Sequence, residues 1–133
     1  MALLLLCLDG AAYAARRATG TATVHVSLRK DAAIWQGRFR AVRRDGATVA
    51  RGRVVDALRD TNGADWIIRR RLTTRAGTLR FSVSGPFQAP TARLHWLIVS
   101  GTGAYAALKG HGVDIERVSG TTATAVMRGV PLP

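Results

Sequence analysis

The sequence predicts an all-β fold, an eight-stranded antiparallel up-and-down β-barrel, on three observations. Apolar stretches recur from Thr21 onward with turn residues in every gap, and several of them alternate with period two. The apolar run through Trp96 then passes by a glycine-punctuated loop at residues 100–112 into a further strand, with no helix between. Eight short strands joined by hairpins are best closed on themselves, because closure pairs the first with the last and removes both exposed edges. A β-sandwich is the second architecture compatible with this rhythm.

The strands are expected to begin near Thr21, Ala33, Thr48, Asp65, Gly77, Arg93, Gly110 and Thr121. Lys30-Asp31, Asp45-Gly46, Asn62-Gly63, Ala76-Gly77, Ala89-Pro90 and Ser119-Gly120 supply the backbone freedom or the preset angle that tight connections need. Val24, Val26 and Leu28 share one face, as do Trp35 and Phe39 around Gly37, and Leu79, Phe81 and Val83. The sixth strand is apolar on both faces, with Leu94, Trp96 and Ile98 opposite Leu97 and Val99. Its outer side therefore calls for a cover, and a subunit contact is the natural candidate. The alanine-rich segment at residues 104–109 is too short for more than one turn of 3₁₀ helix.

At 133 residues the chain has the length of one domain, with 47% hydrophobic and 21% charged residues, which argues against disorder or a fibrous repeat. Residues 1–15 read as a signal peptide: Ala2 to Leu8 is apolar, and Ala12-Tyr13-Ala14 has the small-x-small pattern of a cleavage site. No basic residue precedes the leucines, which fits a start assigned too late or a chance apolar beginning. Residues 16–133 then form the barrel domain, secreted or held in the cell envelope. No stretch reaches the roughly 18 apolar residues of a transmembrane helix. Cys7 is the only cysteine and falls within the leader, so the exported chain has no disulfide, thiol nucleophile or cysteine ligand. Loss of the leader removes Asp9 and no base, raising the net charge from +12 to +13. Eighteen of the twenty bases are arginine, a bias that a GC-rich genome also produces.

Polar residues on otherwise apolar strand faces are the best site candidates, because an enclosed charge needs a partner or a ligand. Asp56 follows Ala50, Gly52 and Val54; Arg70 lies between Ile68 and Leu72; His95 shares a face with Leu97 and Val99; His111 and Arg117 flank Val113 and Ile115. Asp56 or His111 would transfer protons, and Arg70 or Arg117 would stabilise an oxyanion or carboxylate. Internal salt bridges, barrel-mouth residues or solvent-facing groups are the plainer reading. Trp35, Trp66 and Trp96 would line a cavity or simply pack the core. Gly101-Thr102-Gly103-Ala104-Tyr105-Ala106 matches a dinucleotide fingerprint, yet Gly110 and Gly112 interrupt the helix that motif requires. The three histidines lack metal-binding spacing, and no serine sits in a nucleophile-elbow setting, so no metal and no cofactor are expected.

The segment SGTGAYAALKGHG, residues 100–112, resembles the allene oxide cyclase barrel-like family, which includes the dirigent proteins: a strand, a glycine turn with an aromatic residue, then a glycine-led strand. Elsewhere the resemblance extends to strand count and rhythm. It implies an eight-stranded barrel with an apolar central cavity, often assembled into homo-oligomers. It further implies a small apolar ligand whose cyclisation or coupling is guided by restricting its conformers. The chain departs from the cyclases in carrying a single glutamate, Glu116, and no match to their acidic and water-holding residues. The competing reading is a non-catalytic basic module that contacts anionic polymers or lipid surfaces.

Overall fold

The computed structural model describes residues 20–86 and 88–133; the leader assigned to residues 1–15 lies outside them. The elements are β1 (Ala22–Asp31), β2 (Ile34–Val42), β3 (Thr48–Asn62), β4 (Asp65–Thr74), β5 (Gly77–Pro86), β6 (Thr91–Gly101), a 3₁₀ turn (Gly103–Tyr105), β7 (His111–Ser119) and β8 (Thr122–Val130). Each strand pairs antiparallel with its sequence neighbour, and β1 pairs with β8, so the sheet is a closed barrel in simple meander order. The expected strand starts fall within two residues of the observed ones. Among the described residues no helix is long and apolar enough to cross a membrane.

Alternation decides what faces in. Val24, Val26 and Leu28, then Phe39 and Ala41, then Ile68 and Leu72, then Leu79, Phe81 and Val83 are all buried, while their sequence neighbours on β1, β4 and β5 stand mostly exposed. The outer wall of β2 to β5 instead carries Arg38, Arg40, Arg51, Arg53, Arg71 and Arg80, each exposed. A charged outer wall on these strands is the reverse of a lipid-embedded barrel, whose outer band must be apolar.

One end of the barrel is plugged by the β6–β7 connection. Tyr105 is buried there, and its hydroxyl lies 2.8 Å from Thr74 Oγ1. Gly103 adopts φ +58°, and its Cα faces the β4–β5 turn so closely that a Cβ would meet the Ala76 carbonyl oxygen. The stretch that resembled a dinucleotide fingerprint is thus a tight turn with a single 3₁₀ residue triplet, and β7 follows it.

Trp96 fills the lumen beside this plug. Its ring meets Phe81 edge-on, with centroids 5.7 Å apart at 87°, and its Nε1 donates to the Arg128 carbonyl oxygen at 3.0 Å. The ring lies over Gly112, its cross-strand partner, where a Cβ would stand 2.6 Å from Trp96 Cζ2 and 2.7 Å from the Arg128 oxygen. Gly112→Ala is therefore expected to lower the unfolding free energy by about 1–3 kcal/mol, by forcing the indole off its rotamer or off its hydrogen bond. Urea denaturation monitored by tryptophan fluorescence checks this, and an unchanged midpoint would contradict it.

Candidate functional site

At the opposite half of the lumen the sheet encloses charge. Asp56 on β3 and Arg70 on β4 are directly paired across the ladder and face inward. From the far wall, β7 sends in Asp114 and Glu116, and β3 adds Arg59 from beyond an irregularity between Asp56 and Leu58. That bulge shifts the phase of the strand by one residue, which lets Arg59 join Asp56 in the lumen.

The bonds form one network. Arg70 grips Asp56 with a fork, Nε donating to Oδ1 at 2.8 Å and Nη2 to Oδ2 at 3.0 Å. Its Nη2 also reaches across the lumen to Glu116 Oε1 and Oε2 at 3.2 and 3.3 Å. Arg59 Nη1 bridges the same two acids, 2.7 Å from Asp56 Oδ2 and 2.8 Å from Glu116 Oε1. Arg70 Nη1 lies 3.8 Å from Asp114 Oδ1, close enough to attract and too far to hydrogen-bond. That nitrogen has no hydrogen-bond partner, and Asp114 has only Glu116 near enough to share a proton with once it is protonated.

Burial is the main influence on both ends of this chain of charges. It pushes the Asp114 carboxyl up to about 8, helped by the neighbouring Glu116 and opposed by Arg70. For Arg70 burial opposes the charge, but Glu116, Asp56 and Asp114 outweigh it and hold the guanidinium well above its ordinary value. At neutral pH two guanidiniums therefore face two paired carboxylates, and Asp114 keeps its proton. The cluster is electrically balanced.

Arg59 carries the network toward the barrel end opposite the β6–β7 connection. Its guanidinium carbon lies 4.9 Å from the Trp35 ring centroid and 5.3 Å from that of Trp66, and its side chain is 8% exposed. Trp35 and Trp66 stand second in β2 and β4, so both rings emerge where those strands start. Both are half-buried. Seen from solvent, the mouth is an arginine held between two indoles, with acids beneath.

Of the residues singled out from sequence, Asp56, Arg70, Trp35 and Trp66 come together here. Trp96 belongs to the core at the plugged half. His95, His111 and Arg117 are exposed on the outer wall and do not join the site. Their apolar neighbours Leu97 and Val99 are 53% and 63% exposed, so an apolar face on β6 was no guide to the lumen. Arg59, Asp114 and Glu116 were missed as site residues. Among the described residues no group of three His, Cys, Asp or Glu side chains is placed to hold a metal ion. No known protein family, no curated protein and no solved structure matches the chain.

Proposed function

We propose that this barrel binds a small, largely apolar ligand at the mouth formed by Trp35, Arg59 and Trp66, in the manner of the allene oxide cyclase-like and dirigent-like barrels. The observation that carries the reading is the sandwiched Arg59. Two indoles offer flat apolar surface, and between them a guanidinium with its orientation fixed by Asp56 and Glu116 offers a donor for a carbonyl, phenolate or carboxylate. A donor held in place before binding loses little conformational entropy when the ligand arrives. Any influence on the ligand's own cyclisation or coupling is exerted by restricting its conformers against this rim. Asp114 lies too deep, behind Arg70, to be the group that meets the ligand.

Titration with the uncharged probe N-phenyl-1-naphthylamine tests the reading. Saturable fluorescence enhancement is expected for the wild-type protein, and Trp66→Ala is expected to weaken it about tenfold, the effect of losing ~1.4 kcal/mol of aromatic contact. A folded wild-type protein that produces no enhancement would remove the reading's basis.

A further inference from the structure

The outer wall concentrates positive charge. Every acid whose side chain is described lies at a hairpin end (Asp31, Asp45, Asp65) or inside the barrel (Asp56, Asp114, Glu116). The ladder meanwhile sets arginine directly opposite arginine at Arg38 and Arg53, at Arg40 and Arg51, and at Arg71 and Arg80. Like charges so placed repel across a sheet and weaken it unless something neutralises them.

One of these pairs sits in a cleft. Arg69, Arg71 and Arg80 rim a depression of about 430 Å³ whose apolar floor is Val55, Ala57 and Val99, with Ser82 beside them. That volume lies in the range of sites for one small molecule. Ala57 and Val99 are the residues skipped by the pairing of β3 with β4 and of β5 with β6, so two bulges re-aim the walls to make the hollow. From Val99 the apolar surface continues to Leu97, 53% exposed and paired with Ser82.

We infer that this cleft binds a single-chain anionic amphiphile, its acid head between Arg71 and Arg80 and its alkyl chain along Val99 and Leu97. The ligand supplies both missing partners, an anion for the facing arginines and a cover for the doubly apolar strand. A concave site with an apolar floor suits one tail better than a sugar polymer, which has none. It also suits one tail better than a flat bilayer, which a convex wall meets along few strands.

The test is a titration of ¹⁵N-labelled protein with decanoate below its micelle-forming concentration. Saturable shifts are expected at the amides of Val55, Ala57, Arg71, Arg80, Ser82 and Val99. Arg71→Gln with Arg80→Gln is expected to weaken binding about tenfold while the melting temperature holds or rises, since a repulsive pair is removed. Decanol, with the same chain and no charge, should bind about tenfold more weakly than decanoate. Shifts centred on Trp35 and Trp66, an unchanged affinity in the double variant, or equal affinity for decanol would overturn the inference. So would binding to phosphatidylglycerol vesicles or to heparin without binding of monomeric decanoate, which would assign these arginines to a membrane or a polymer.

Discussion

Arg70→Met is expected to cost about 3–5 kcal/mol of stability at pH 7, the effect of leaving buried charge without its counter-ion. The side chain is wholly enclosed, and it supplies the fork to Asp56 and the bond across the lumen to Glu116. Without it, Arg59 alone faces those acids. A domain of this size holds about 5–15 kcal/mol in all, so the variant should be marginally folded at neutral pH. Two further measurements keep the expectation falsifiable if it does not fold at all. Adding Asp56→Leu to Arg70→Met should restore much of the loss, because the most tightly gripped acid leaves with its partner. Adding Glu116→Gln to Arg70→Met should likewise narrow the gap to wild type, because one fewer buried acid then needs a cation. Denaturation curves for wild type, the single variant and the two double variants at pH 7 decide the matter. A single variant as stable as wild type at pH 7 would show that the network is energetically idle.

Strand order and strand starts were legible because turn chemistry and period-two alternation are local signals. Lys30-Asp31 and Asn62-Gly63 announce their hairpins whatever packs above them. Faces were legible only where one side of a strand is clearly apolar, as at Val24, Val26 and Leu28. On β7 the local signal pointed outward. Val113 and Ile115 suggested an inward face that would take His111 and Arg117 with it, yet the lumen receives Gly112, Asp114 and Glu116. The phase is fixed from other strands: Trp96 needs the bare backbone of Gly112, and Arg70 and Arg59 need the acids. The exposed Leu97 and Val99 on β6 lie on the same outer side as Val113 and Ile115, which accounts for the apolar surplus of both strands.

Arg59 escaped for a different reason. Strict alternation from Asp56 puts even-numbered positions in the lumen, and the bulge at Ala57 reverses that count before Arg59. A bulge of this kind leaves little mark on sequence when no glycine occupies it. The signal that was available was arithmetical: an inward arginine at position 70 needs acids, Asp56 is one, and the chain's single glutamate sits in a strand two residues from another acid.

Asp114→Asn is expected to flatten the protein's pH dependence. In the unfolded chain the carboxyl titrates near 3.9, whereas in the barrel it is raised to about 8. Between those values the folded protein holds a proton that the unfolded chain has released. The contribution of Asp114 to stability therefore falls as pH rises from about 4 to about 8, by up to ~1.4 kcal/mol per unit, and levels off above. Asparagine keeps the volume and cannot ionise. Its advantage over wild type should be near zero at pH 4, grow through neutrality and be greatest at pH 8 and beyond. Denaturation midpoints of both proteins at pH 5, 6, 7, 8 and 9 provide the check, and parallel curves would contradict the assignment. The same titration bears on the mouth. Once Asp114 loses its proton, three acids face Arg59 and Arg70, and the balanced cluster becomes an anion enclosed by apolar side chains. Whatever Arg59 offers a ligand at the rim is then drawn inward, so ligand affinity should fall over the same pH range in the wild type and hold steady in the variant.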